Sequence, residues 1–277
     1  MRHALYLAPF GDLADPNVVV EVAVAAERAG WDGLFLWDHM YRSSEKSEPP
    51  AVADAWIVLT AVAAATSHLR FGPMITPLTR RRPQKVARET VTLDRLSSGR
   101  LTLGVGLGVD SGGELSRFGE SADERERAER LDEALELLLA LWSGELVEHD
   151  GPHFQAAGVR FLPRPTQQAR IPIWGAAVGE RPRVGPLQRA ARLDGLFPVG
   201  ATVDQVAWML SIVSEHRGGL EGFDLAMPIA PDAGSSELEA LRELGATWTM
   251  LSFPEATPAG DVLEVARRPP ASLYGFA

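Results

Sequence analysis

Residues 69–108, LRFGPMITPLTRRRPQKVARETVTLDRLSSGRLTLGVGLG, contain the pattern that decides the fold. The apolar run at 69–76 predicts a buried strand, and Pro83 marks the start of a helix that ends at Gly99. A second apolar run follows at 101–106. A strand, a helix and a further strand in this order predict two parallel strands joined by a helical crossover.

The same alternation extends over the rest of the chain, and helix starts are marked by Asp15-Pro16 and by capping-box spacings at Ser121–Glu124, Thr202–Gln205 and Ser236–Glu239. Predicted strands lie at 3–8, 33–37, 69–76, 101–106, 171–175, 194–198, 223–230 and 246–252. Eight such units predict an α/β fold, a closed (β/α)8 TIM barrel, with a doubly wound open sheet as the alternative. We expect a single domain over 1–277, with 143–170 as a short insertion after the fourth helix.

The composition excludes several classes of protein. The chain has no cysteine, which excludes disulfides, a thiol nucleophile and cysteine-ligated metals. It has 27 Lys and Arg against 37 Asp and Glu, and the net charge of −10 argues against general nucleic-acid binding. No apolar run approaches the ~18 residues of a membrane span, and the N-terminus lacks a signal-peptide pattern. We therefore expect a cytoplasmic protein with no membrane partner.

The active site of a barrel lies at the carboxyl ends of its strands. Residues at those ends are mostly small, apolar or prolyl, which predicts a pocket for a flat, largely apolar ligand. Asp38-His39, after the second strand, is the one position that offers proton chemistry. Two adjacent polar residues are equally consistent with a loop cap, so both interpretations stay open. No metal is expected, because metal-dependent barrels need several His and Asp ligands from different strands.

Three further segments at strand ends are candidate ligand contacts. Gly104–Gly108 has Gly-x-Gly-x-Gly spacing, which permits close approach of a flat ligand and equally describes a flexible turn. Residues 174–181 lead from the fifth strand into a helix, so their amides are candidates for an anion, with a plain turn as the alternative. Arg80, Arg81 and Arg82 would either receive an anionic group or remain solvated.

Together these segments resemble the luciferase-like superfamily, whose members are barrel enzymes that use FMN or coenzyme F420. The most specific part is 54–108, which contains Pro83 before a helix and LDRLSSGR at 93–100. A second part is IPIWGAA at 171–177, followed by AARLDG at 190–195. The resemblance covers essentially the whole chain.

The resemblance implies that a cofactor ring lies against the ends of strands two to four, with its phosphate on the amides after strand five. It also implies a non-prolyl cis peptide at Met74-Ile75 and assigns proton transfer to His39, oriented by Asp38. The cofactor-binding residues it implies are Asp38, His39, Met74, Ile75, Thr76, Gly106, Leu107, Gly108, Ala176, Ala177, Val178, Gly179 and Glu180.

The chain departs from the family pattern at two places that bear on function. The sugar-phosphate dehydrogenase branch has an acid directly after its Gly-x-Gly, where this chain has Val109, and this argues against that activity. The Gly-Gly usual in the phosphate loop is Ala176-Ala177 here, which predicts a lower cofactor affinity.

The resemblance implies an oxidoreductase that transfers a hydride between coenzyme F420 and a small organic substrate. A reduced-FMN-dependent monooxygenase, in which the apolar mouth excludes water, is the alternative within the family. A non-catalytic flavin-binding barrel is the alternative from another class. The helix at 52–66 is apolar nearly all round, which suits burial or a subunit interface, and we expect a homodimer.

Overall fold

The computed structural model describes residues 1–43, 48–179 and 183–273. Its strands are β1 Arg2–Leu7, β2 Gly33–Leu36, β3 Arg70–Pro73, β4 Thr76–Pro77, β5 Leu103–Gly106, β6 Leu146–Asp150, β7 Gln155–Arg160, β8 Ile173–Val178, β9 Gly195–Val199, β10 Asp224–Ile229 and β11 Trp248–Ser252. Its α-helices are α1 Pro16–Ala29, α2 Ala55–Ala65, α3 Pro83–Leu96, α4 Glu124–Trp142, α5 Val184–Ala190, α6 Val203–Arg217, α7 Ser235–Glu243, α8 Ala259–Ala266 and α9 Pro270–Leu273.

The parallel strands form a barrel at the centre of the molecule. Among the described residues they run in the order β3-β2-β1-β11-β10-β9-β8-β5-β4 in one sheet of nine strands. The sheet closes where Phe71 in β3 pairs in parallel with Leu101, just before β5. Gly72 permits this closure, because a Cβ at that position would lie 1.8 Å from the carbonyl oxygen of Thr102. The predicted barrel is confirmed, and the open-sheet alternative is wrong.

The third predicted strand, 69–76, is divided into two pieces. β3 ends at Pro73, and β4 begins at Thr76 and pairs in parallel with β5. The peptide bond between Met74 and Ile75, in the gap, is cis, as the family resemblance implies. The sheet therefore has one strand more than the eight predicted, because one predicted strand is interrupted.

Aromatic side chains fill the interior of the barrel. The rings of Phe35, Trp174 and Trp248 have centroids 5.4–5.9 Å apart, and these side chains are fully buried. Tyr6 in β1 donates its hydroxyl to the carbonyl oxygen of Met74 at 2.8 Å, and burial raises the pKa of this hydroxyl. The interior is thus packed, so a ligand must bind at the mouth of the barrel.

The helices surround the barrel and begin and end largely where local signals predict. The carboxylate of Asp15 caps α1, which ends at Gly30 with a positive φ, and α6 begins with the predicted capping box of Thr202 and Gln205. No helix within the described ranges is long and apolar enough to cross a membrane.

Two of the predicted capping boxes are wrong. Asp123, and not Ser121, caps α4, because the Asp123 carboxylate accepts the N–H of Glu126 at 2.8 Å. The hydroxyl of Ser121 donates instead to the Glu126 carboxylate. α7 begins directly after Gly234 without a side-chain cap, so Ser236 lies inside the helix.

Within residues 143–170, β6 and β7 pair as an antiparallel hairpin. Glu133 on α4 holds this hairpin, since its carboxylate accepts the backbone N–H groups of His153 and Phe154. The ring of His149 is hydrogen-bonded to the same carboxylate. Among the described residues, Glu133 is therefore one of two buried acids that attach the insertion to the outside of the barrel; the other, Asp94 on α3, accepts the backbone N–H groups of Thr166 and Gln167.

Candidate active site

A cavity of about 490 Å³ opens at the carboxyl ends of the barrel strands. Its volume is within the range of small-molecule sites, roughly 300–1,000 Å³. The predicted site residues that line it are Asp38, His39, Met74, Ile75, Gly106, Leu107, Gly108, Ala176, Ala177 and Val178. Thr76 and Gly179 are not among the lining residues, and Glu180 lies outside the described residues.

The carboxylate of Asp38 is buried and bonded to groups other than His39. Arg81 donates to both of its oxygens at 2.9 Å, and Trp56 Nε1 and the Thr76 hydroxyl donate at 3.0 and 2.8 Å. The expectation that Asp38 orients His39 is therefore wrong. Asp38 and His39 are adjacent in sequence, but their side chains meet different neighbours.

Glu114, on the loop between β5 and α4, is the residue that holds His39. Its Oε2 lies 2.7 Å from His39 Nδ1, while Oε1 accepts the N–H of Met40 and a guanidinium N–H of Arg80. Burial alone would raise the pKa of Glu114, but the hydrogen bonds from His39 and Met40 and the charge of Arg80 outweigh it and hold this pKa below its usual range. Glu114 is therefore an anion at neutral pH.

The arginines after β4 are paired with the two buried acids. Arg80 donates to the carbonyl oxygen and the carboxylate of Asp38 at 2.8 and 3.1 Å, and it also donates to Glu114. Arg81 forms its ion pair with Asp38. The charges of both arginines are thus compensated within the protein, which removes the reason to expect an external anion there. Arg82 is exposed and directly precedes α3.

The Gly-x-Gly-x-Gly segment places Gly106 and Gly108 in the cavity wall. A Cβ at Gly106 would lie 2.1 Å from Ile75 Cδ1. Gly108 has a φ of +73°, and a Cβ there would lie 2.8 Å from Pro77. These glycines let the end of β5 pack directly against the segment around the cis peptide, so both segments contribute to one wall.

The segment expected to hold a phosphate differs from the prediction. β8 continues to Val178 instead of ending at Gly175, and α5 begins only at Val184. The N–H of Gly179 donates to the carbonyl oxygen of Val199 at 2.8 Å. Gly179 therefore cannot offer this amide to an anion, and the expectation is wrong for that residue.

Arg127 in α4 lines the cavity and was missed by the sequence predictions. Its guanidinium donates to the carbonyl oxygens of Leu107 and Gly108 at 3.2 and 2.9 Å, and the side chain is buried. Its Nε has no hydrogen-bond partner in the part of the chain that is described. A signal was available in the sequence, because Arg127 precedes the apolar Leu131 on the same helix by one helical turn.

A second cavity, of about 540 Å³, shares Asp38 and His39 with the first. Its remaining lining residues are Met40, Val52, Ala53, Asp54, Arg80, Arg81, Phe118 and Glu120. No cluster of three or more metal-ligating side chains occurs within residues 1–43, 48–179 and 183–273. His39 is thus accessible from two cavities in a site built from acids, arginines and apolar side chains.

Sequence comparison gives related proteins over part of this chain. An F420-dependent glucose-6-phosphate dehydrogenase from Nocardia farcinica is 34% identical over 166 residues, which are 59% of this chain and 48% of that protein. A protein of the same name from Beutenbergia cavernae is 36% identical over 167 residues. The chain spans about half the length of the curated relatives it matches.

Comparison with solved structures supports the fold. An F420-dependent secondary alcohol dehydrogenase in complex with an F420-acetone adduct superposes with a TM-score of 0.80 at 18% identity, covering 96% of this chain and 99% of that chain. A family model described as luciferase-like monooxygenase matches residues 4–274. Because this match covers nearly all of the sequence, the chain belongs to the luciferase-like monooxygenase family.

Proposed function

We propose that the chain is an oxidoreductase that transfers a hydride between coenzyme F420 and a small organic substrate. The observation that carries this proposal is the position of His39, which lines the cavity at the barrel mouth and is held by the buried Glu114. F420-dependent dehydrogenases among the relatives at 34–36% identity support the choice of cofactor.

The cavity wall fits a flat ring that has polar edges. Ile75 and Leu107 offer apolar surface, and Gly106 keeps the end of β5 free of side chain. Trp37 also lines the cavity, and its buried Nε1 has no hydrogen-bond partner among the described residues. An unpaired buried donor beside a cavity is expected where a ligand supplies the acceptor.

Arginine side chains between α4 and α5 fit the anionic tail of such a cofactor. Arg183 and Arg189 line the cavity but form ion pairs with Glu124 and Asp132. Arg127 donates only to carbonyl oxygens and forms no direct ion pair with a carboxylate in the described structure. Arg127 is therefore the residue we assign to the phosphate, with Ala176, Ala177 and Val178 forming the adjacent wall.

When bound, coenzyme F420 supplies the carbon that accepts or donates the hydride. In the oxidative direction a substrate C–H bond breaks and its electron pair leaves with the hydride. The proton of the adjacent O–H passes to the ring of His39, which acts as the general base. Asp38 binds Arg81 and Thr76 and supports the wall of the site without touching the reacting atoms.

A monooxygenase that uses reduced FMN is the second candidate. The apolar wall formed by Ile75, Val105 and Leu107 favours it, because oxygen chemistry on a flavin needs a site that excludes water. Both candidates use the same cavity and the same arginine, and they differ in the cofactor that binds productively.

Titration of the purified chain with coenzyme F420 and with FMN, monitored by fluorescence quenching, tests these candidates. We expect coenzyme F420 to bind at low micromolar concentration and to be reduced when a panel of alcohols is added. FMN-dependent oxygen consumption would favour the monooxygenase, and binding without turnover would favour the non-catalytic barrel. If neither cofactor binds below high micromolar concentrations, the proposal fails.

The same titration of an Arg127 variant tests whether this residue binds the phosphate of the cofactor. Arg127→Gln should weaken FMN binding about tenfold or more but leave riboflavin, which lacks the phosphate, nearly unchanged, because a charge-assisted hydrogen bond is lost. Arg192→Gln is the matched control, since Arg192 is exposed and does not line the cavity. Equal weakening of FMN and riboflavin would contradict the assignment of Arg127 to the phosphate.

We also propose that the chain is a cytoplasmic homodimer that associates through the outer face of α2. Ile57 on this face is 68% exposed, and Ala61 and Ala64 continue the apolar stripe at helical spacing. Sedimentation velocity should show a dimer for the native chain and monomers for Ile57→Asp. Leu146→Asp, at a similarly exposed position on the hairpin, should stay dimeric. Monomeric native protein would contradict the proposal.

A further inference from the structure

The carboxylate of Glu114 uses both of its oxygens as acceptors. Oε2 lies 2.7 Å from His39 Nδ1, and Oε1 accepts from the backbone N–H of Met40 and from Arg80. The side chain of Glu114 is 1% exposed, so solvent has almost no access to these bonds. Three donors from two separate loops therefore converge on one buried acid.

This arrangement determines which nitrogen of His39 carries a hydrogen. An ionised carboxylate can only accept hydrogen bonds, so Nδ1 must be the donor to Glu114. In neutral His39 the lone pair is then on Nε2. Nε2 has no hydrogen-bond partner among the described residues, and His39 lines both cavities.

The charges around the ring are balanced. Asp38 and Glu114 carry one negative charge each, Arg80 and Arg81 carry one positive charge each, and the four side chains are joined by ion pairs. A proton taken up by His39 therefore produces an imidazolium next to a carboxylate in an otherwise neutral cluster. Without Glu114 the same proton would enter a cluster that already has an excess of positive charge.

We propose that Glu114 is a positioning residue for His39: it keeps Nδ1 protonated, so that Nε2 alone exchanges the substrate proton, and it supplies the countercharge of the imidazolium. This proposal rests on the proposed function only for the identity of the substrate that gives up the proton. The tautomer of His39 is a property of the protein without substrate or cofactor. In the oxidative direction the substrate O–H proton moves to Nε2 and the hydride leaves the substrate carbon for the coenzyme, while the Nδ1–H bond to Glu114 persists.

The variants Glu114→Leu and Glu114→Asp test this role, with Glu133→Leu as a matched control. Glu133 is a buried acid that holds the ring of His149, and it does not line either cavity. The ¹⁵N chemical shifts of the His39 ring, measured without cofactor, report which nitrogen carries the hydrogen. We expect Nδ1–H in the native protein, in Glu114→Asp and in Glu133→Leu, and loss of this preference in Glu114→Leu.

Kinetics provide the second measurement. We expect kcat to fall at least about tenfold in Glu114→Leu with little change in KM, to recover largely in Glu114→Asp and to stay unchanged in Glu133→Leu. Circular dichroism checks folding, and Glu114→Gln replaces the leucine variant if that variant unfolds. An Nε2–H tautomer in the native protein would overturn the proposal, as would a native kcat in a folded Glu114→Leu. Absence of turnover in the native protein would contradict the proposed function, and the NMR measurement would still decide the role of Glu114.

Discussion

Two histidine–glutamate pairs in the described residues have similar local geometry. His39 Nδ1 lies 2.7 Å from Glu114, and His149 Nε2 lies 3.1 Å from Glu133. Both carboxylates are buried, and both also accept backbone N–H groups. In each case burial raises the pKa of the glutamate, but the hydrogen bonds outweigh burial and keep the pKa below its usual range.

The pairs differ in what surrounds the histidine ring. His39 lines two cavities, and its glutamate is also bound by Arg80. His149 lines neither cavity, and the other partners of Glu133 are backbone groups of the hairpin. A buried histidine–glutamate pair is therefore not in itself a sign of catalysis. Access to a cavity and a balancing cation distinguish the candidate site from a structural attachment.

The largest difference between the pairs is expected when each histidine is replaced by alanine. His39→Ala should lower the kcat of F420-dependent turnover by about 10²–10⁴-fold, the usual contribution of a positioned acid–base group. His149→Ala should leave kcat unchanged and lower Tm, because it removes a bond between the hairpin and α4. Steady-state kinetics and thermal unfolding of both variants measure these effects.

Cofactor titration is the control for the histidine variants, since a lost cofactor would also abolish turnover. An unchanged kcat in His39→Ala with the cofactor bound would remove His39 from catalysis. A large fall of kcat in His149→Ala would show that the His149–Glu133 pair also affects catalysis. The distinction drawn between the two pairs would then be wrong.

The fold could be predicted because each βα unit has its own local signals. Pro83 marks the start of one helix and Asp15 caps another, without reference to distant residues, although the first helix ends at Leu96 and not at the predicted Gly99. The sequence pattern alone did not decide which of two candidate residues caps α4. Ser121 and Asp123 can both cap a helix, and the choice depends on which side chain reaches the N–H of Glu126 in three dimensions.

The position of His39 could be predicted, but its partner could not. The carboxyl ends of barrel strands form the site, so a histidine at the end of β2 was a candidate from the sequence. Glu114 is 75 residues away along the chain, in a loop without periodicity, and only the closed barrel brings it to the ring. Asp38 was the nearest acid in sequence, but its carboxylate is bound by Arg81, Trp56 and Thr76.

The smallest effect that separates the pairs concerns the stability that Glu133 provides. Glu133→Gln replaces one acceptor oxygen by a donor that faces the N–H groups of His153 and Phe154. We expect the free energy of unfolding at neutral pH to fall by about 1–3 kcal/mol, the cost of a buried N–H left without a partner, with kcat unchanged. Urea unfolding measures this difference, and Glu136→Gln, an exposed position on the same helix, is the control.

The difference in the free energy of unfolding between the native protein and Glu133→Gln should depend on pH, and this dependence tests how much of the difference comes from the charge of Glu133. The pKa of Glu133 in the folded protein lies below the ordinary value of 4.5, so the unfolded chain binds its proton first as the pH falls. The charged carboxylate therefore contributes its full stability above about pH 5, and this contribution is lost as the pH falls through the folded pKa. The glutamine of Glu133→Gln cannot ionise. The difference in the free energy of unfolding between the native protein and this variant should therefore become smaller at acidic pH. A gap that stays constant to about pH 3 would mean that packing, and not the charge of Glu133, holds the hairpin.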